Sequence, residues 1–205
     1  MSRKPKFFPR AYGVKTQSDV DAMYNDWADS YDEELIENGY MSPIRAAQAL
    51  CQFLPNNASV LDFGCGTGLS GKALKSCGYT NISGSEINSN MLEKARMTGA
   101  YKSLFLGNIL DPFPFETGTY DAITAVGVIS TGAGPALLLP IVLDALAEGG
   151  ILAFSLNDAA LADPTYLGEL EKILERGAAK VVFCEYGPHL TASKVGSTIY
   201  VLKRL

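Results

Sequence analysis

The chain has 205 residues, a net charge of −5, and 47% hydrophobic against 19% charged residues. That is enough apolar matter for one domain with a sizeable core, which excludes overall disorder, and no apolar run reaches the roughly 18–20 residues that a bilayer-spanning helix needs. The charge is segregated: Arg3, Lys4, Lys6, Arg10 and Lys15 put +5 on an acid-free start, leaving −10 on the rest.

Residues 1–17 read as a basic flexible tail ahead of one domain over 18–205. Pro5 and Pro9 break any amphipathic targeting helix there, and no apolar segment of a secretory signal follows. Cys51, Cys65, Cys77 and Cys184 form no C-x-x-C pair, so they are expected to be reduced thiols in a cytoplasmic protein. One histidine, His189, and no cysteine cluster predict no metal site. Eight acids lie between Asp19 and Glu37. With no basic face foreseen on the folded body, the expectation is no nucleic-acid partner and no membrane partner.

In chain order, Ser18 caps a helix to Glu37 with Met23, Trp27 and Tyr31 at four-residue steps, and Asn38-Gly39 ends it. Ser42-Pro43 starts a second helix, to about Leu54. These two form residues 18–54, a helical cap. Strands are then predicted at Ser59–Phe63, Asn81–Glu86, Tyr101–Leu106, Tyr120–Val126 and Gly150–Leu156, with helices at Gly68–Cys77, Asn88–Thr98, Pro140–Ala147 and Pro164–Arg176. Such alternation means a mostly parallel sheet with helices on both faces. The last two strands, Lys180–Glu185 and Ser197–Lys203, are joined without a helix through Tyr186–Gly196, which predicts an antiparallel last strand in a seven-stranded α/β sandwich.

The decisive segment is Val60-Leu61-Asp62-Phe63-Gly64-Cys65-Gly66-Thr67-Gly68-Leu69-Ser70-Gly71, a strand running through a glycine turn into a helix. Glycines let a ligand approach the main chain, and the helix start offers free N–H groups. Gly66-x-Gly68-x-x-Gly71 with Glu86 further on matches the dinucleotide fingerprint. Asp62, just before the loop, speaks against a pyrophosphate and for a cationic ligand carrying an ammonium and a sulfonium. No second domain to hold a hydride acceptor is expected after it.

Asp62-x-Gly64-x-Gly66-x-Gly68 resembles the first motif of class I S-adenosylmethionine-dependent methyltransferases. Gly84-x-Glu86 is similar to their acidic ribose clamp, Gly107-Asn108 to their adenine-side turn, Tyr120-Asp121-Ala122-Ile123 to their fourth strand and Glu148-Gly149-Gly150 to the turn before the fifth. Tyr24-x-x-Trp27-Ala28-x-x-Tyr31-Asp32 and Gly127-x-x-Ser130 most resemble small methyltransferase-like proteins named for the Williams–Beuren region, and bacterial relatives. The resemblance implies a Rossmann-like methyltransferase sandwich with S-adenosylmethionine as methyl donor and S-adenosylhomocysteine as product.

It also implies roles. Glu86 grips the ribose hydroxyls, Ile87 lies against the adenine, Asn108 meets the adenine amino group and the Ile109 N–H a ring nitrogen. Gly64, Gly66 and the chain just after Val126 line the methionine portion, and Asp62, Cys65, Gly68 and Val126 count among the cofactor-binding residues. Tyr24 and Tyr31 close over the cofactor, with Arg45 an alternative partner for its carboxylate. His189, in the last connection, is the one candidate for catalysis. The expected reaction is in-line displacement at the sulfonium methyl, in which alignment and exclusion of water matter most. No Asn-Pro-Pro-Tyr-like tetrad follows the fourth strand, where Ala125-Val126-Gly127-Val128 stands. The acceptor is expected to be a small molecule, with a protein side chain the second class. The alternatives are an NAD(P)-binding oxidoreductase and a non-catalytic S-adenosylmethionine-binding module.

Overall fold

The computed structural model describes residues 31–107, 113 and 115–205, and every structural statement below concerns these. Two helices, α1 (Tyr31–Glu37) and α2 (Ser42–Leu50), precede an alternating body of β1 (Ser59–Phe63), α3 (Leu69–Ser76), β2 (Asn81–Glu86), α4 (Ser89–Met97), β3 (Ser103–Leu106), β4 (Ala122–Ala125), α5 (Leu138–Asp144), β5 (Ile151–Asn157), α6 (Asp158–Ala162), α7 (Pro164–Glu175), β6 (Ala179–Leu190) and β7 (Val195–Arg204). The tail, and the expected helix as far as residue 30, lie outside the described residues.

The strands form one seven-stranded sheet in the order β3-β2-β1-β4-β5-β7-β6. All neighbours from β3 to β5 pair in parallel, and only β7 runs against its neighbours β5 and β6. The fold is the Rossmann-like methyltransferase sandwich expected. Strands buried on both faces need apolar residues at successive positions. Val60, Ile82 and Ala122 accordingly pack with Ala46, Leu50 and Leu74 of α2 and α3, while Leu61, Ile123 and Phe154 pack with Leu139, Leu143 and Ile173 of α5 and α7. Asp121 ties the starts of β1 and β4 together, its carboxylate accepting the Ser59 N–H and hydroxyl, each at 2.8 Å.

Helix starts follow their caps. Asn88 accepts the N–H groups of Asn90 and Met91 at the head of α4, and Asp163 accepts that of Thr165 before Pro164 in α7. Helices α2, α3 and α5 start without a side-chain cap, and at α3 the N-cap is Gly68, which has no side chain to offer. From β1 the chain builds outward through β2 and β3, then returns to place β4 on the other side of β1. Open sheets leave a crevice at such a reversal, beyond the carboxyl ends of the strands, and the glycine loop lies there.

Several boundaries differ from those expected. Helix α2 stops at Leu50, α5 begins two residues ahead of Pro140 because proline is tolerated in a first turn, and α6 was not foreseen. The larger difference is the last hairpin. Gly187, Pro188 and Gly196 read as loop, yet β6 and β7 run through them and leave a connection of only Thr191–Lys194. The reason is position: β6 is the edge of the sheet, where a proline breaks no inner ladder, and the register shifts between Pro188 and Leu190.

A Cβ on Gly71 would lie 2.2 Å from Tyr101 Cζ, whereas one on Gly168 in α7 meets nothing within 4 Å. Urea denaturation should show Gly71→Ala destabilised by about 1–3 kcal/mol through overpacking, and Gly168→Ala stabilised by up to about 1 kcal/mol through helix propensity. Equal effects of the two substitutions would contradict this packing.

Candidate functional site

Gly64, Gly66 and Gly68 all have positive φ, at 66°, 54° and 96°. Only glycine takes such angles without strain, so the turn geometry by itself demands the motif. Their surroundings differ. A Cβ on Gly64 would strike Val128, and one on Gly68 would strike Thr98 and Ala95, so these two are glycine because protein packs on them. Around Gly66 a Cβ would meet nothing within 4 Å. The loop therefore shows bare main chain to open space at Gly66.

Glu86 ends β2 beside this opening and is 9% exposed. One carboxylate oxygen accepts the Gly66 N–H and the other the Asn88 N–H, each at 2.9 Å. The expected ribose-gripping acid is thus also a loop anchor. Ile87, next in the chain, is 44% exposed, an apolar surface at the rim. Asn108, Ile109 and Tyr24 lie outside the described residues, and so does the side chain of Tyr31.

Asp62 is 1% exposed and sits beneath the loop. Its oxygens accept the hydroxyls of Tyr101 at 2.8 Å and Thr124 at 2.9 Å. Burial pushes its carboxyl up to about 6, the two hydroxyls oppose this, and Glu86 adds to it. Direct contact with a ligand was one form of the expectation; the structure instead makes Asp62 a buried charge under the loop. Cys65 is buried against Leu92 and Ala95, its thiol pushed far above the usual range by burial and then by Asp62 and Glu86. Its N–H bonds the Ser85 carbonyl, so it serves the loop's shape.

Val126 is buried in the core, and the Gly127 N–H donates to Ser155 Oγ at 2.9 Å. Gly127 has no room for a side chain because the Tyr40 hydroxyl stands 2.6 Å from where its Cβ would be. Tyr40 is held by a bridge to Leu190 and an edge-on contact with the His189 ring, centroids 5.1 Å apart. Sequence reasoning passed over Tyr40, and its only signal was a tyrosine following Asn-Gly. It also missed Asp32, which accepts the Thr67 hydroxyl and so ties α1 to the glycine loop. Arg45 is not aimed at the opening: it donates to the carbonyls of Glu185, Pro188 and Ser197.

His189 was expected in an open loop. It lies in β6, 6% exposed, with Nδ1 2.8 Å from Ser42 Oγ, which in turn lies 2.9 Å from Ser197 Oγ. Burial pulls its pKa down to about 4, Asp158 opposes this and Arg45 assists it. The ring is neutral near pH 7 and joins α2 to the hairpin. No group of three metal-ligating side chains occurs among the described residues, and none of their helices is long and apolar enough to cross a membrane.

The family model described as "Methyltransferase domain" matches residues 32–186. Human methyltransferase-like protein 27 is 31% identical over 170 residues, covering 81% of this chain and 69% of that protein. The chain belongs to the class I S-adenosylmethionine-dependent methyltransferase family. It is an enzyme of that family's methyl-transfer class, and the family's methyl donor is S-adenosylmethionine, so the oxidoreductase alternative falls. Bovine 18S rRNA (guanine-N(7))-methyltransferase is 35% identical over 85 residues, 42% of this chain and 30% of that enzyme. Among solved structures, the methyltransferase complexed with the Trm112 activator of Haloferax volcanii superposes with a TM-score of 0.70 at 15% identity, covering 90% of this chain and 97% of that one. An S-adenosylmethionine-dependent methyltransferase of Thermotoga maritima superposes with a TM-score of 0.65 at 17% identity, covering 91% and 100%.

These relatives overturn the expected partners. Nucleic acid was excluded and a small acceptor preferred, yet one relative is an rRNA methyltransferase and one structural neighbour is complexed with a protein activator. The exclusion failed because net charge averages over faces. From Leu69 to Gly107 the chain carries Lys72, Lys75, Lys94, Arg96 and Lys102 against only Glu86 and Glu93, and Glu86 is buried.

His189 gains a proton in the unfolded chain near pH 6.5 but in the folded one only near 4, so its contribution is full above about 6.5 and is lost as pH falls toward 4. The stability advantage of the protein over His189→Gln should shrink across that window by up to about 3 kcal/mol in urea titrations. Parallel curves would contradict a buried neutral ring.

Proposed function

We propose that this enzyme binds S-adenosylmethionine in the crevice above Gly66 and transfers its methyl group to a nucleophile presented beside Tyr40 and Gly127. The observation that carries the reading is the pairing of bare main chain at Gly66 with the buried Glu86 carboxylate next to it. In this reading Glu86 takes the ribose hydroxyls, Ile87 faces the adenine with Asn108 and Ile109, and Gly64, Cys65, Gly66, Gly68 and Val126 shape the methionine end through their backbone. Asp62 supplies negative charge from below, suited to an ammonium and a sulfonium.

Residues 18–54 act as the cap, with Tyr24 and Tyr31 facing the donor, and residues 1–17 as a basic tail. The hydrogen bonds from Thr67 to Asp32 and from the Met41 N–H to the His189 carbonyl support this, because they tie α1 and the start of α2 to the loop and the hairpin. The leaving thioether needs little help, so the chain's own residues chiefly align the methyl with the acceptor and exclude water. The Tyr40 hydroxyl is the polar group at the place where cap, hairpin and the end of β4 meet. The identity shared with the rRNA enzyme makes RNA the first acceptor class to assay, using labelled S-adenosylmethionine and counting methyl groups in RNA and protein fractions separately.

Isothermal titration should give saturable binding of S-adenosylhomocysteine and none of NADH or NADPH. Glu86→Ala should weaken that binding by roughly 1.5–3 kcal/mol, the worth of hydrogen bonds to a charged group. Unchanged affinity in Glu86→Ala would remove the ribose from this position.

A further inference from the structure

A helix that starts at a ligand-binding glycine has a structural problem. Its first N–H groups need acceptors, and a glycine N-cap supplies none. Helix α3 starts at Gly68 without a side-chain cap. The acceptor comes from elsewhere: the Gly71 N–H, third in the helix, donates to the Tyr101 hydroxyl at 3.1 Å. That hydroxyl donates onward to Asp62 Oδ2 at 2.8 Å. Each bond in the chain N–H to O–H to carboxylate polarises the next. The Tyr101 ring occupies the space that side chains on Gly68, Gly71 and Gly84 would need, lying 3.3, 2.2 and 3.0 Å from their missing Cβ positions. Gly71 is thus vacated for the tyrosine, which enters from just ahead of β3 and also packs against Gly68 and Gly84, where Thr98 and Leu104 stand closer still.

We infer that Tyr101 is a positioning residue of the donor site: its hydroxyl caps α3 in place of Gly68 and holds the Asp62 carboxylate as the fixed negative charge that favours a sulfonium donor over its neutral thioether product. This rests on the donor-site reading above. Asp62 is faced by Thr124 from β4, Tyr101, Cys65 in the loop and Glu86 at the end of β2. Without the Tyr101 hydroxyl, Asp62 keeps only the Thr124 donor, while burial and Glu86 still oppose its charge. Protonation then comes at higher pH, and a buried acid that holds its proton no longer attracts a cation.

The test is calorimetric titration of the full chain with S-adenosylmethionine and S-adenosylhomocysteine between pH 5 and 7.5, on the protein, Tyr101→Phe, Asp62→Asn and the double variant. Phenylalanine keeps the ring that packs against Gly68, Gly71 and Gly84. Tyr101→Phe should lose about tenfold in S-adenosylmethionine affinity near pH 7, the lower end of what a hydrogen bond to a charged group is worth. The loss for S-adenosylhomocysteine should be smaller, and the acid limb of S-adenosylmethionine binding should move to higher pH. In the Asp62→Asn background the same substitution should leave the ratio of the two affinities unchanged. Equal losses for both ligands with an unmoved acid limb would overturn the inference while leaving the donor site intact. A native protein that binds neither ligand would overturn the donor-site reading itself. Should Asp62→Asn fail to fold, the acid limb of Tyr101→Phe decides alone.

Discussion

Two buried carboxylates hold the glycine loop in its working shape, and the rest of the site depends on them. Glu86 fastens the Gly66 N–H from the side, and Asp62 stands underneath, braced by Tyr101 and Thr124. Burial is the main reason the Asp62 carboxyl is raised, and the like charge of Glu86 adds to it. Burying two carboxylates together costs stability, and in the proposed reading a cation bound above them offsets part of that cost. Fold and ligand preference are therefore linked through the same two side chains.

The other half of the crevice is built by stitching. Met41 bonds the His189 carbonyl, Tyr40 bridges to Leu190, and Arg45 spans the backbone of both hairpin strands. Ser42, His189 and Ser197 make a buried polar link beneath. The described part of the N-terminal segment and the last hairpin form one wall, and that wall brings the Tyr40 hydroxyl to Gly127. In the proposed reading an acceptor approaching the methyl meets this wall, whose residues lie outside the glycine motif.

The sheet, its parallel pairing and its antiparallel last strand were legible in the sequence, because strands buried on both faces and a final helix-free connection leave a strong pattern. The glycine loop was legible too, since Gly64, Gly66 and Gly68 are imposed by backbone angle. What was not legible depended on tertiary position. Pro188 reads as a breaker, and only its place on the edge strand makes it harmless. His189 reads as a loop histidine, and only the Ser42 contact shows it buried. Tyr40, beyond its place after Asn-Gly, and Tyr101 carry no local signal, because what gives each its place is a glycine distant in sequence, Gly127 for one and Gly71 for the other. The exclusion of nucleic acid failed for a related reason, since composition does not say which face a charge will occupy.

The most direct test is a crystal structure of the protein with S-adenosylhomocysteine. The account predicts the ribose hydroxyls on the Glu86 carboxylate, the amino-acid portion along the backbone of Gly64–Gly68, and the sulfur directed toward Gly127 and Tyr40. A ligand bound elsewhere with the Gly66 crevice empty, or a ribose out of reach of Glu86, would contradict it.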